Sequence, residues 1–141
     1  MYYLRTEQSF DAAHFLKDYE GKCSNLHGHR WRIVAELGKE ELDQRRHTRG
    51  MLMDFGDLKT ALKQICDELD HSFIFEAGSL KQKTVEALLD EDFKLIEVPY
   101  RPTAENFAHD FFTRLQSGGY PVKRVEVYET PANCAIYEES R

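Results

Sequence analysis

At 141 residues the chain is sized for one domain with a real core, and 41% hydrophobic with 31% charged residues is an ordinary globular balance. A net charge of −6 argues against a general nucleic-acid or membrane-surface binder, and no apolar run reaches the roughly 18 residues a membrane helix needs. The start, Met1 to Glu7, lacks the apolar core of a signal peptide, and cysteines scattered at positions 23, 66 and 134 suit free thiols in a reducing cytoplasm better than a disulfide framework.

Residues 2–10 mix aromatic, β-branched and charged side chains and predict a first strand ending near His14. A polar loop over 15–26 follows. His27, His29, Trp31, Ile33, Ala35 and Leu37 alternate, which predicts a second strand over about 27–38 with every second side chain on one face. The charged stretch 39–50 reads as a solvated turn region, and Met51 to Phe55 as a short third strand. Asp57 is the expected cap of a helix whose apolar stripe is Leu58, Ala61, Leu62, Ile65, Cys66 and Leu69. That stripe stops at Asp70-His71.

Residues 72–101 are the least legible segment, with a helical turn or two expected around Val85 to Leu89 and extended chain at Ile96 to Val98. Pro102-Thr103 opens a second long helix, with Thr103 as N-cap, the stripe Ala104, Phe107, Ala108, Phe111, Phe112 and Leu115, and Gly118-Gly119 as terminator. Val122 to Glu129 and Cys134 to Tyr137 predict a closing hairpin. The whole is one domain over 1–141, of α+β class, with two amphipathic helices on one face of a four-stranded antiparallel sheet.

The chemistry concentrates in Cys23-Ser24-Asn25-Leu26-His27-Gly28-His29. Two imidazoles two residues apart on a strand point to one side and can share a metal ion, while Gly28 leaves the backbone between them open to another strand or a ligand. His14, at the end of the neighbouring strand, is the third candidate, although spacing alone does not enlist it. Three histidines with no obvious fourth protein ligand resemble a catalytic zinc site with an open position. Cys23 can be a fourth ligand closing a Cys-His₃ site, a thiolate poised by nearby charge, or an inert residue. Cys66 and Cys134 read as structural.

Asp70-His71 is weak as a motif, because adjacent helical side chains do not face each other. Glu129 shares a strand face with Val125 and Val127, where a carboxylate must meet donors. Glu105 falls in a first helical turn, a favourable place for a carboxylate on structural grounds alone. His47 and His109 read as solvent-facing.

Six ordered stretches carry a family resemblance: Phe10-Asp-Ala-Ala-His14, Cys23-x-x-x-His27-Gly-His29, Met53-Asp-Phe55, Leu69-Asp-His71, Pro102-Thr-Ala-Glu-Asn106 and Tyr128-Glu-Thr130. Together they resemble the 6-pyruvoyltetrahydropterin synthase-like enzymes. The three-residue gap between Cys23 and His27 and the ending Cys134-Ala-Ile-Tyr137 look like the bacterial 6-carboxy-5,6,7,8-tetrahydropterin synthases of queuosine biosynthesis.

The resemblance implies the tunnelling fold, a cytoplasmic homo-oligomer (a hexamer built as a dimer of trimers) whose sheets join into a barrel with active sites between subunits. It implies zinc on His14, His27 and His29, Cys23 as catalytic base, Asp70 and His71 as its relay, and Glu129 as the pterin anchor, with Thr103 and Glu105 in the substrate site. The implied lyase reaction converts 7,8-dihydroneopterin triphosphate to 6-carboxytetrahydropterin, acetaldehyde and triphosphate. The alternatives are a pyruvoyl synthase that stops at triphosphate elimination, and a non-catalytic zinc-binding module. Arg30, Arg32 and Lys22 are the cations nearest in sequence for the triphosphate.

Overall fold

The computed structural model describes residues 1–140 and contains one mixed sheet with three α-helices. Its spine is a long antiparallel hairpin, β1 (Tyr2–His14) and β2 (His27–Lys39), paired from Tyr2 opposite Lys39 to His14 opposite His27. In this register Phe10, Ala12 and His14 of β1 share a face with His27, His29, Trp31, Ile33 and Ala35 of β2. The chain then crosses 40–54 without a strand and enters α1 (Phe55–Leu69).

The sheet is larger than the expected four-stranded antiparallel one, and it is mixed. The sheet has six strands in the order β4-β3-β1-β2-β5-β6. The antiparallel part consists of β1, β2, β5 (Val122–Thr130) and β6 (Asn133–Glu138), while β3 (Ser72–Glu76) and β4 (Leu95–Val98) add two short parallel strands on the far side of β1. The crossover between them carries α2 (Gln82–Asp90), none of whose residues is buried. The sequence pattern failed for β3 because Phe73, Ile74 and Phe75 form a continuous apolar run, as strands between parallel neighbours do, with no alternation to read.

The expected strand at Met51–Phe55 does not form either. Asp54, not Asp57, caps α1, its carboxylate accepting the Gly56 N–H at 2.7 Å, so the helix starts inside the predicted strand. Leu52 is buried and Met53 packs on the core, which accounts for the apolar run there.

α1 and α3 (Ala104–Ser117) cover one face of the sheet. Most of each predicted stripe is buried, Leu58, Leu62, Cys66 and Leu69 from α1 and Phe107, Ala108, Phe111, Phe112 and Leu115 from α3, while Ala61, Ile65 and Ala104 are only partly buried against the core. Thr103 caps α3 as expected, accepting from the Asn106 N–H at 3.2 Å. These side chains meet Phe10, Trp31, Ile33, Leu37, Val125 and Val127 of the sheet. Trp31 is fully enclosed, with Phe107 edge-on at 4.9 Å and its indole N–H donating to the Ala12 carbonyl at 3.2 Å. The opposite face of the sheet is charged. Arg5 bridges Glu36 at 3.3 Å and the buried Glu126 at 3.2 Å, and Arg32 pairs with Glu7 at 2.8 Å. No helix among the described residues is long and apolar enough to cross a membrane.

Candidate active site

The β1–β2 register brings His14 directly opposite His27 and sets His29 diagonally across. The three rings lie 4.6 to 5.2 Å apart, centroid to centroid, above Trp31, whose ring is 4.9 Å from His14 and 5.3 Å from His29. His14 is buried; its Nδ1 lies 2.7 Å from the Pro102 carbonyl, and His27 Nδ1 lies 2.6 Å from the Asn25 carbonyl. A carbonyl can only accept, so each Nδ1 donates and each Nε2 is left as a lone pair.

The two Nε2 atoms nevertheless face each other at 3.1 Å, and His29 Nε2 is buried with no hydrogen-bond partner. Facing acceptors and an orphaned buried nitrogen are costly, on the order of 1–3 kcal/mol per unsatisfied group. A cation between them removes that cost, and imidazoles oriented by carbonyls on their other nitrogen are the usual supporting arrangement for metal ligands. Burial, reinforced by the neighbouring imidazoles and opposed by the hydrogen bond to Pro102, lowers the His14 pKa to about 4. Burial lowers that of His29 as well, against the pull of Glu129. Both therefore favour the neutral form a metal requires. The donor set fits a borderline cation such as zinc.

The fourth group within reach of the three imidazoles is Glu129, not Cys23. Glu129 Oε1 lies 3.4 Å from His14 Nε2 and 3.3 Å from His29 Nε2. A bulge places it there: Tyr128 pairs with Cys134 and Thr130 with Asn133, so Glu129 is the extra residue of β5. Cys23 sits half-buried in a single 3₁₀ turn, Lys22–Ser24, tied to the loop's start where its carbonyl accepts the Leu16 N–H at 2.9 Å. Cys66 is buried, where desolvation first and the nearby Asp67 and Asp70 next push its thiol up to about 12, while Cys134 is exposed rather than structural.

Asp70 and His71 do form a pair, contrary to the rule for adjacent helical residues. The helix ends at Leu69, Asp70 is extended, and His71 takes a left-handed φ of 54° that turns its ring back, with Nδ1 2.8 Å from Asp70 Oδ2. The Asp11 N–H donates to Asp70 Oδ1 at 2.8 Å, and the Asp11 carbonyl accepts the His71 N–H at 2.6 Å. The Asp11 and His71 hydrogen bonds favour the carboxylate and lower the Asp70 pKa. Lys94, from the segment that resisted reading, donates to the Asp67 and Asp70 carbonyls at 3.1 and 2.9 Å and ties down this helix end.

Two cavities of about 430 Å³ each flank the Gly28-His29-Arg30 backbone. One is lined by Asp11, Arg30 and His71, the other by Arg32, Tyr128 and Glu129. A Cβ at Gly28 would meet the Ala12 carbonyl only at an ordinary 3.4 Å, so packing against β1 does not demand glycine there. Both cavities touch that position. Arg30 is exposed, whereas Arg32 lies over the Tyr128 ring at 3.9 Å. Thr103 and Glu105 line neither cavity; the Thr103 hydroxyl is engaged as a cap, and Glu105 is exposed in the first turn. His47 and His109 are exposed as expected, the latter against Tyr137.

The family profile described as 6-pyruvoyl tetrahydropterin synthase matches residues 3–140. This chain belongs to the 6-pyruvoyl tetrahydropterin synthase family. Among curated members, the 6-carboxy-5,6,7,8-tetrahydropterin synthase of Haemophilus influenzae is 34% identical over 142 residues, covering 99% of this chain and 100% of that one. The Synechocystis protein of the same name is 32% identical over 143 residues, covering 100% of this chain and 96% of its own. In three dimensions the chain is similar to an uncharacterized protein of Wolinella succinogenes, with a TM-score of 0.79 at 23% identity over 99% and 98% of the two chains. It is also similar to the 6-pyruvoyltetrahydropterin synthase of Plasmodium vivax, with a TM-score of 0.71 at 19% identity over 99% and 98%. At such identities the structural likeness speaks for the fold. The chain is thus an α+β unit with a six-stranded mixed sheet, and its His14, His27, His29 and Glu129 form a cluster that could hold a metal ion.

Proposed function

We propose that the protein is a zinc-dependent lyase that converts 7,8-dihydroneopterin triphosphate and water to 6-carboxy-5,6,7,8-tetrahydropterin, acetaldehyde and triphosphate, a step towards queuosine and related 7-deazapurines. The observation that carries this reading is the convergence of three imidazole Nε2 atoms, two of them backed by carbonyls and one orphaned, in a chain similar over its full length to proteins named for that product. His14, His27 and His29 would hold the ion, which would polarise the oxygens of the substrate side chain and acidify the adjacent C–H and O–H groups.

The remaining chemistry is proton traffic and positioning by this chain. Cys23, on a loop at the His27 end of the sheet, acts as the thiolate base that takes protons from the side-chain carbons. Loss of triphosphate and tautomerisation of the side chain into the ring leave a dicarbonyl on a reduced pterin. Water added to the inner carbonyl then allows the carbon–carbon bond to break, giving the ring carboxylate and acetaldehyde with no external oxidant. His71, aimed by Asp70, relays protons to and from the substrate. Glu129 accepts the adjacent N–H donors of the pterin through both carboxylate oxygens. Arg30 and Arg32, beside the two cavities, supply charge for the triphosphate. The outer strands β4 and β6 leave backbone edges open, and the charged sheet face opposite the helices suits the interior of an oligomeric barrel whose neighbours complete each site.

The test pairs wild type with Cys23→Ala, incubated with dihydroneopterin triphosphate, following acetaldehyde, the pterin product and zinc per chain. Acetaldehyde from wild type alone, at equal zinc content, is the expected result. Triphosphate release without acetaldehyde would move the assignment to a pyruvoyl synthase. Zinc loss from the variant, with no turnover by either protein, would leave a metal-binding module.

A further inference from the structure

Residues 17–22 of the loop that carries Cys23 are all exposed, so no buried side chain pins this stretch. Inside the loop the Cys23 carbonyl accepts the Leu16 N–H at 2.9 Å. The Leu16 carbonyl accepts the Tyr19 N–H at 3.3 Å and closes a turn, with Asp18 at a left-handed φ of 65°. That turn bond leaves the carbonyl of its middle peptide, on Lys17, without a partner inside the loop. The Arg101 guanidinium supplies one, donating to the Lys17 carbonyl at 2.5 Å, and its Cζ stands 5.9 Å from the centre of the Tyr19 ring. Among the described residues, this is the one hydrogen bond that ties 17–22 to chain outside the loop.

Arg101 is itself firmly rooted. Its carbonyl accepts the Thr103 N–H at 2.7 Å and the Asn106 side-chain amide at 2.8 Å, at the capped start of α3. The next carbonyl along, on Pro102, is the one that faces His14 Nδ1 at 2.7 Å. Two adjacent residues thus hold two parts of the site, an imidazole of the metal cluster through a backbone oxygen and the Cys23 loop through a side chain.

We infer that Arg101 is a positioning residue, whose guanidinium fastens the Cys23 loop to the segment that orients His14 and so fixes where the thiol stands relative to the three imidazoles. This rests on the reading of Cys23 as the base given above. The guanidinium lines neither cavity beside Gly28, so it acts on the reaction through the loop and not on the substrate. A hydrogen bond from a charged donor shifts the balance between a docked and an open loop by about tenfold or more. The flat fork of arginine can donate to the carbonyl while it faces the Tyr19 ring, which a lysine does less well.

The experiment uses the full-length, zinc-loaded protein as wild type, Arg101→Ala, Arg101→Lys and Cys23→Ala. It measures amide exchange, zinc per chain, and kcat and KM with dihydroneopterin triphosphate, after melting has checked that each variant is folded. In Arg101→Ala the Leu16, Tyr19 and Ser24 amides should exchange about tenfold faster, while amides in the middle of the β1–β2 hairpin keep their rates. Its kcat should fall about tenfold with KM and zinc content unchanged, and millimolar guanidinium ion should restore part of the loss. Arg101→Lys should lie between Arg101→Ala and wild type in both exchange and kcat.

Unchanged loop exchange in Arg101→Ala would overturn the inference. A raised KM at unchanged kcat would overturn it in favour of direct substrate binding, and loss of zinc would overturn it in favour of an effect through His14. Faster loop exchange beside a fully active Cys23→Ala would leave the loop anchor standing and remove the base reading on which its catalytic part rests. Unchanged exchange beside an inactive Cys23→Ala would remove the anchor alone.

Discussion

A φ of 54° is strained for a side chain with a Cβ, and His71 bears it so that its ring can return to Asp70. Glycine would relieve that strain at the cost of the imidazole. His71→Gly should leave stability unchanged or raise it by about 0.5–1 kcal/mol in thermal melts while abolishing turnover, an exchange of activity for stability. The pair was legible as residue types but not as a contact, because its geometry depends on where α1 stops. In the sequence Glu129 reads as a carboxylate needing donors, but its place beside the imidazoles depends on a bulge that no local pattern announces. His14 sets the pH behaviour of the metal-free protein. Its pKa of about 4 lies below the 6.5 of an unperturbed histidine, so between these values the unfolded chain binds more protons. Stability should be complete above about pH 6.5 and fall as the pH drops towards 4, by on the order of 3 kcal/mol. His14→Phe, which cannot protonate, should flatten that stretch of a urea-melt pH series.

At the scale of single elements, α3 does more than fill the core. The Thr103 cap fixes the helix start, and the carbonyl just before it, on Pro102, orients His14. Thr103→Ala should cost about 1 kcal/mol of stability and also weaken metal binding. Asp54→Ala, which removes the equivalent cap of α1, should cost a similar amount and leave metal affinity alone. Calorimetry for both variants, with metal titrations, separates the two effects. The helices were readable because their stripes, Leu58 to Leu69 and Ala104 to Leu115, follow the helical period over several turns. The β1–β2 hairpin was readable from the alternation His27 to Leu37. Short parallel strands offer neither signal. β3 and β4 have five and four residues and pair with chain distant in sequence, so their existence is decided by the sheet.

Across the molecule, motifs that are far apart in sequence gather around the end of the sheet where β1 stops and β2 starts, apart from Met53-Asp-Phe55, which lies beside Tyr2 to Leu4 at the other end. Order and spacing of those motifs were enough for the family resemblance, and only through it for grouping His14 with His27 and His29. They were not enough for Lys94, which holds the Asp70 end of α1 from a segment with no recognisable motif. The Cys23 loop, by contrast, is short enough that its closeness to His27 follows from chain length alone. One consequence of the metal cluster concerns the order of events in folding. Its three histidines sit on one hairpin, His14 at the end of β1 and His27 and His29 at the start of β2, while Glu129 comes from the bulge near the end of β5. Ligand atoms on two adjacent strands let an ion grip that hairpin before the two ends of the chain have met. Metal should therefore speed refolding as well as slow unfolding, so stopped-flow chevrons with and without zinc should differ in both limbs.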